Sequence, residues 1–270
     1  MDFKINPSFP SISMLRKKAK SNIPGFVFDY LDGGCNEEVN LNINTSDIQK
    51  VKLRPYYLRD SPKVDLSANI FGKKYNLPFG ISPIGLQGLI WPGAPKILAE
   101  AAKKFNIPYI LSTVSTEDIE TIMSINDDAW FQLYNPSDEG IRKDILKRCW
   151  ESNVQVLVVL ADVPSFGYRP KEIKNGLSIP PKITLKNFVQ IGSSPKWAIE
   201  TLRYGKPEFK MLKPYLPKDL NLKHLGQFMN KTFDGSINED RLKRIRDEWK
   251  GKLVLKGVAS DEDAHKCIQW

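Results

Sequence analysis

The sequence has few histidines and cysteines, and this shortage excludes several kinds of site. It contains two histidines and three cysteines in 270 residues. Cys35, Cys149 and Cys267 lie far apart and form no CxxC pair, which favours structural or incidental thiols in a reducing compartment. We therefore expect no metal site. Many oxidative mechanisms use a histidine base, and the chain offers His224 and His265 for that role.

Long apolar runs are also missing. No run approaches the roughly 18–20 residues that span a bilayer, and the longest, VQVLVVLA at 154–161, has the length of a strand. The first residues, MDFKINPSFPS, contain an early acid and prolines where a signal peptide would be apolar. We expect a cytoplasmic protein, with peripheral attachment to the inner face of the cell membrane as a further prediction.

Acidic residues are fewer than basic ones, and the net charge is +9. Such an excess suits nucleic acid, an anionic membrane or small anionic ligands. No zinc finger or RNP motif is present, so nucleic acid is not an expected partner. Residues 177–233 contain ten Lys/Arg and three Asp/Glu with interleaved aromatic residues, a pattern that suits an anionic membrane surface. A solvated loop is the alternative.

The first 77 residues predict helices followed by a hairpin. Ser11 can cap a helix over SISMLRKKAK, and a second helix, PGFVFDYLDGG, begins at Pro24 and ends at Gly33 and Gly34. Residues 51–77 are rich in turn residues, and NIFGKKYNL is typical of a small hairpin.

From residue 78 the pattern alternates between strands and helices. Strands are predicted at 78–82, 108–112, 129–134, 154–162 and 252–256, and helices at 95–105, 116–125, 137–152, 237–249 and from Ser260 onward. This alternation indicates βαβ units and a parallel sheet. Residues 163–236 contain many prolines and little periodicity, so we interpret them as a long insertion after the fourth strand.

An α/β fold of the (β/α)₈ barrel type, with an N-terminal helical preface and about five of the eight strands, fits this pattern. A doubly wound sheet is the alternative, but no GxGxxG follows the first strand. We divide one domain into 1–77, 78–162, 163–236 and 237–270. Barrels carry their functional groups at the C-termini of their strands, and polar residues lie at that end of each predicted strand: Ser82, Ser112, Gln132 with Tyr134, Asp162 and Lys256.

Six segments resemble the FMN-dependent 2-hydroxy acid dehydrogenase/oxidase family, and most of all its (S)-mandelate and membrane L-lactate dehydrogenases. They are FVFDYLDGG, LPFGISPIGLQGLIWP, YILSTVS, AWFQLY, ADVPSFGYRPKEIKNGL and LVLKG, in this order. The resemblance covers essentially the whole chain. It implies an FMN cofactor, oxidation of an (S)-2-hydroxy acid to a 2-keto acid, a quinone-type electron acceptor and a tetramer-like homo-oligomer.

The resemblance also implies roles for the substrate-binding residues. Arg169 matches the arginine that binds the substrate carboxylate, for which its planar fork is suited. Tyr30 matches a donor to the same carboxylate, and Tyr134 matches a donor to the substrate hydroxyl. Asp162 matches the aspartate that supports a catalytic histidinium. Taken alone, each of these residues also fits a core or surface position.

The cofactor contacts follow in the same way. Lys256 matches a lysine near the flavin N1 and C2 carbonyl, where a cation stabilises negative charge on the reduced ring. Ser112 and Gln132 match residues that hydrogen-bond the ring, and the Pro83–Gly85 segment matches backbone that lies against it. Gly85, where typical oxidases have alanine, favours a dehydrogenase.

Some positions depart from the family pattern. Ile84 and Leu160 stand where the family has threonines that contact flavin, so weaker FMN binding is expected. The family's histidine is expected beyond residue 270, and neither His224 nor His265 matches it. We therefore expect a C-terminally incomplete barrel without activity of its own. A non-catalytic remnant is one alternative.

The basic segment 177–233 corresponds to the membrane-binding insertion of the mandelate dehydrogenase-like members. The resemblance thus implies an anionic membrane surface as a partner. A fragment that acts only as a membrane-surface binding module is the second alternative.

Overall fold

The computed structural model describes residues 6–58, 60, 64–163, 167–177, 184–217, 232–233 and 237–269. The strands are β1 (Ala68–Ile70), β2 (Lys73–Tyr75), β3 (Ile110–Ser112), β4 (Trp130–Leu133), β5 (Val156–Leu160) and β6 (Lys252–Lys256). The helices are α1 (Ile12–Asn22), α2 (Gly25–Asp32), α3 (Val39–Lys50), α4 (Gln87–Ile90), α5 (Ala94–Phe105), α6 (Ile119–Ile125), α7 (Glu139–Glu151), α8 (Pro170–Lys174), α9 (Leu185–Gly192), α10 (Pro195–Tyr204), α11 (Glu239–Glu248) and α12 (Asp261–Gln269). A 3₁₀-helix spans Lys210–Tyr215.

The centre of the molecule is a parallel sheet in the order β3-β4-β5-β6. Helices lie between β3 and β4, between β4 and β5 and between β5 and β6, so that successive strands run in the same direction, as parallel pairing requires. The predicted α/β class and parallel sheet are confirmed. Within the described residues the sheet is open, with β6 at one edge.

The prediction of a regular strand at 78–82 is wrong. The structure has a single β-bridge there, beside β3. Ile81 pairs with Tyr109 in parallel, and its N–H donates to Pro108 O at 2.8 Å. Pro78 and Pro83 have no N–H, so a ladder cannot continue at those positions. The sheet therefore has four strands and a bridge where five strands were predicted.

Strand β5 has the sequence VLVVL, without a polar residue, and all five of its side chains are buried. Both faces of the sheet are therefore covered at this strand. Leu157 and Val159 point into the larger core, which α5, α6, α7 and α11 cover. Val156 and Val158 point the other way, into a smaller cluster with Tyr75 and Trp130. The period-two alternation of a strand thus divides one apolar run between two cores.

The predicted hairpin is confirmed as the antiparallel pair β1–β2, which covers the smaller cluster. Tyr75 donates from its hydroxyl to Asp128 Oδ2 at 2.8 Å, and Trp130 Nε1 donates to the Tyr75 hydroxyl at 3.3 Å. The hairpin therefore closes the face of the sheet that the helices leave uncovered.

The N-terminal helices α1 and α2 follow the prediction. Ser11 Oγ accepts from Met14 N at the start of α1, and Gly33 follows the last residue of α2. Helix α3, over residues 39–50, was not predicted. It has no buried residue, so its sequence carries no apolar stripe that would reveal it.

The segment 163–236 was interpreted as a long insertion, and no helix was predicted in it, yet its described part contains regular structure. Helices α8, α9 and α10 and the 3₁₀-helix lie there. Thr184 and Asn187 form a reciprocal cap at the start of α9, and Pro195 begins α10. Short helices with such caps give little periodic signal, which explains the miss. The division of the chain at 77, 162 and 236 stays a prediction.

The 3₁₀-helix of this segment is attached to the core. Met211 and Leu212 are fully buried in the larger core. Arg148 of α7 donates to Met211 O at 3.0 Å, and the Tyr215 hydroxyl donates to Asp144 Oδ2 at 2.6 Å. The 3₁₀-helix therefore fixes this part of the segment to the helical layer.

Candidate active site

Predicted site residues gather where the parallel strands end. Ser112 at the end of β3 is in register with Gln132 of β4, and Lys256 at the end of β6 is in register with Leu160 of β5. Asp162 follows β5 by two residues. The carboxyl ends of parallel strands share one edge, so these side chains face one end of the sheet. We call Ser112, Gln132, Tyr134, Asp162 and Lys256 the strand-end cluster.

Gln132 carries a buried amide nitrogen that lacks a partner. Ser112 Oγ donates to Gln132 Oε1 at 3.2 Å, and both side chains are buried. No hydrogen-bond partner for Gln132 Nε2 exists in the described part of the chain. An unpaired buried N–H costs about 1–3 kcal/mol. The amide therefore suits a ligand acceptor at the end of β4.

Thr113 supports this arrangement, and sequence reasoning missed it. Its hydroxyl donates to Gln132 O at 2.6 Å and accepts from Tyr134 N at 3.0 Å. It thereby holds the backbone on both sides of Leu133. Threonine next to a predicted cofactor residue gave no separate signal.

The segment from Pro83 to Gly85 lies beside the end of β3. A Cβ at position 85 would lie 2.9 Å from Val114 Cγ2 and 3.4 Å from the Tyr30 hydroxyl. Glycine therefore permits a close approach of backbone and side chains here. The Tyr30 hydroxyl donates to Gly85 O at 3.1 Å. Neither Pro83 nor Ile84 has a polar side-chain atom.

Arg169 is held at the end of α2, next to Tyr30. Its Cζ lies 5.5 Å from the centroid of the Tyr30 ring. Its Nη2 donates to Tyr30 O and to Gly33 O, both at 2.8 Å. Carbonyl groups at the C-terminus of a helix favour such a cation. The structure thus brings together Arg169, Tyr30 and Gly85, as the sequence prediction requires.

Glu172 is a further member of this group that sequence reasoning did not identify. Its Oε1 lies 2.6 Å from Arg169 Nε, an ion-pair distance, although the N–H is not aligned for a hydrogen bond. Burial raises the pKa of Glu172 despite the nearby guanidinium, which acts in the opposite direction. An acid in the first turn of α8 is a common feature of helix starts, so the sequence offered no distinctive signal.

Both predicted substrate-binding tyrosines are held in the protonated form. Burial and the charge of Glu172 raise the pKa of Tyr30 to about 12, although the charge of Arg169 acts in the opposite direction. Burial, with the charge of Asp162, also raises the pKa of Tyr134. At neutral pH each hydroxyl is therefore a hydrogen-bond donor and no base.

Asp162 and Lys256 pair with each other across the ends of β5 and β6. Lys256 Nζ donates to Asp162 Oδ2 at 2.8 Å, and each side chain is over a third exposed. Gly257 has φ +99°, and a Cβ there would lie 2.2 Å from Asp162 Cβ, so this turn requires glycine. The predicted roles, Lys256 toward flavin and Asp162 toward a histidine, stay predictions.

His265, the histidine that the structure describes, does not join this group. His265 lies on α12, where its Nδ1 is 2.7 Å from Asp261 O. His224 lies outside the described residues. Within the ranges that the structure describes, no helix has the length and apolar character needed to cross a bilayer.

Comparison with known proteins gives a consistent result. A family described as FMN-dependent dehydrogenase matches residues 19–270. An L-lactate dehydrogenase of Bartonella tribocorum is 37% identical over 257 residues, covering 94% of this chain and 67% of the relative. One of Vibrio parahaemolyticus is 35% identical, covering 94% and 68%.

Solved structures agree with these relatives. The crystal structure of the monotopic membrane protein (S)-mandelate dehydrogenase matches with a TM-score of 0.87 and 33% identity, covering 94% of this chain and 68% of that one. A mandelate oxidase matches with a TM-score of 0.76 and 25% identity, covering 97% and 66%. The chain thus spans about two thirds of the length of the proteins it matches.

Proposed function

The chain belongs to the FMN-dependent dehydrogenase family, and we propose that its strand-end cluster, with Arg169 and Tyr30, forms part of an FMN and (S)-2-hydroxy acid site. The observation that carries the proposal is the gathering of these residues at the carboxyl end of β3–β6. The substrate is of the lactate or mandelate type, as in the relatives.

The residues present fit an FMN ring. The unpaired amide of Gln132 supplies a donor at the end of β4, and Lys256 supplies a cation at the end of β6, two strands away in the sheet. Gly85 leaves room beside Val114 where a side chain would collide. FMN, when bound, would accept the two electrons that leave the substrate. Gln132, Ser112, Lys256 and the 83–85 backbone would hold it.

The substrate would be bound by Arg169 and the two tyrosines. A guanidinium is suited to a carboxylate, and the hydrogen bonds that fix Arg169 against the end of α2 limit the entropy lost on binding. Tyr30 and Tyr134 act as neutral donors because of their raised pKa values. Tyr30 can turn its hydroxyl from Gly85 O to the substrate, and Tyr134 donates to the substrate hydroxyl.

Proton removal needs a base that these residues do not supply. His265 contacts the backbone of α12, both tyrosines are protonated, and the carboxylate of Asp162 is paired with Lys256. We therefore propose that the 270-residue chain binds ligands without oxidising them. Reduction of an artificial electron acceptor by the purified chain with FMN and either (S)-mandelate or L-lactate would contradict this.

The FMN proposal is tested by the visible spectrum of the chain after incubation with FMN and desalting. We expect retained flavin absorption for wild type and for Lys252→Ala, and its loss for Lys256→Ala. Lys252 and Lys256 are the two ends of the same strand, so the control has the same chemistry. Colourless wild-type protein would refute FMN binding and favour a non-catalytic remnant.

A second part of the proposal is attachment to an anionic membrane through α9 and α10. These helices pack their inner sides on α2, where Trp197 contacts Phe26. Their outer sides expose large apolar residues, with Leu185 at 81% and Leu202 at 84% exposure. Basic residues occupy the same helices: Lys186, Lys196 and Arg203. Exposed apolar and basic residues together are typical of interfacial helices.

This location fits a membrane-borne acceptor, because α2 carries both Phe26 and Tyr30. The proposed electron acceptor is a quinone-type molecule. Assembly of the chain into a homo-oligomer stays a prediction. Sedimentation with anionic and neutral vesicles tests the attachment. We expect binding to anionic vesicles that weakens as salt rises. Equal binding to both vesicle types, or none, would contradict it.

A further inference from the structure

The cation proposed to bind the substrate already has an anion beside it. Arg169 Nε and Glu172 Oε1 are 2.6 Å apart, and both atoms are buried. Nη2 is used by Tyr30 O and Gly33 O, while Nη1 takes part in none of these three contacts. The guanidinium is therefore fixed on one side, and Nη1 is the nitrogen best placed to meet a ligand.

Glu172 is the only carboxylate that the described contacts place on Arg169. The charge of the arginine is therefore partly offset before an anionic substrate arrives. Burial also raises the pKa of Glu172, which fits a carboxyl group kept from water by α2 and α8.

We propose that Glu172 is a positioning residue that sets the affinity of Arg169 for the substrate carboxylate. It does so in two ways, by fixing the orientation of the guanidinium and by reducing its net charge. The proposal rests on the substrate role given to Arg169 above. Reduced attraction for the anion gives the site a moderate affinity, which also eases release of the equally anionic keto acid.

Three variants separate the two effects. Glu172→Gln keeps an oxygen near Arg169 Nε but removes the charge, and Glu172→Ala removes both. Glu172→Asp keeps the charge on a shorter side chain. With FMN present, (S)-mandelate and its neutral amide, 2-hydroxy-2-phenylacetamide, are titrated into each variant and wild type by calorimetry.

We expect Glu172→Gln to bind mandelate about three- to tenfold more tightly than wild type, because one nearby negative charge is gone. Its affinity for the amide should be unchanged. Glu172→Ala should bind mandelate more weakly than Glu172→Gln, since Arg169 loses its anchor, and Glu172→Asp should stay close to wild type. Equal shifts for Gln and Ala, or an equal shift for mandelate and the amide, would overturn the proposal.

A measurement without ligand separates this proposal from the one it rests on. The ¹⁵N–¹H signal of Arg169 Nε reports its neighbour directly. We expect it to move in Glu172→Ala and more modestly in Glu172→Gln. If it moves in neither variant, Glu172 does not position Arg169. If it moves but wild type binds neither mandelate nor L-lactate, the substrate role of Arg169 fails, and the tuning role fails with it.

Discussion

Most apolar side chains are buried in the sheet β3–β6, whereas several on the helix pair α9–α10 are exposed. All five side chains of β5 are buried, and its apolar residues serve two cores. On α9 and α10 the residues Leu185, Phe188 and Leu202 are mostly exposed, although the opposite sides of these helices pack well. Apolar residues in the sheet therefore stabilise the fold, whereas those on the helix pair are available for an interface.

The largest expected effect lies in the sheet. Leu157→Ala removes a fully buried side chain at the centre of β5, and it should lower the free energy of unfolding by about 2–5 kcal/mol. Urea unfolding followed by circular dichroism measures this. A loss below about 1 kcal/mol would mean that the sheet is less tightly packed than described.

A smaller effect is expected where the helical layer buries an ion pair. Arg142 is 5% exposed and contacts both carboxylate oxygens of Glu248 at 2.9 Å. Glu248→Gln should lower the free energy of unfolding at neutral pH by about 1–3 kcal/mol, between the values for exposed and fully buried pairs.

The same pair predicts a pH dependence. Arg142 lowers the pKa of Glu248 below its usual value of 4.5. The folded state therefore binds the proton less readily than the unfolded state, so the stabilisation is present above pH 4.5 and is lost as pH falls toward the lower folded value. In Glu248→Gln, the part of the acid destabilisation due to this group should disappear. An unchanged pH profile would contradict the prediction.

Substitutions on the helix pair should change membrane binding and leave stability unchanged. Phe188→Ser with Leu202→Ser should reduce binding to anionic vesicles by about tenfold or more, because two apolar side chains no longer enter the interface. Urea unfolding of this variant should match wild type. Unchanged vesicle binding would show that the apolar residues of α9 and α10 do not contact the membrane.

The smallest effect completes the comparison. Leu202→Ala changes the same residue type as Leu157→Ala, but at a side chain that is 84% exposed. Its free energy of unfolding should stay within about 0.5 kcal/mol of wild type. A larger loss would mean that this face of α10 is packed in solution, for example against a second copy of the chain.

Sequence patterns predicted the sheet well because its strands are short apolar runs with distinct ends. They predicted β6 at 252–256. They did not predict the two cores, because the division of β5 between two faces emerges only from the packing around that strand. The segment around Ile81 was misjudged because prolines on both sides limit it to a bridge. Helices α9 and α10 were missed because they are short and expose apolar residues on the outside.

Sequence patterns also predicted the candidate site only in part. Motifs predicted roles for Arg169, Tyr30, Gln132 and Lys256, which lie at or near the ends of regular elements. They did not identify Glu172, because its importance comes from contact with Arg169 across the first turn of α8. They also did not predict that Asp162 and Lys256 pair, since the residues are 94 positions apart in the sequence.

The central claim is that the strand-end cluster binds FMN, and fluorescence titration of FMN tests it most directly. Gln132→Leu removes the unpaired amide, whereas Gln155→Leu makes the same change at an exposed residue just before β5, at the opposite end of the sheet. Circular dichroism confirms that each variant retains its fold. The account predicts equal affinity for wild type and Gln155→Leu, and about tenfold weaker binding for Gln132→Leu. Equal affinity of all three proteins would contradict it.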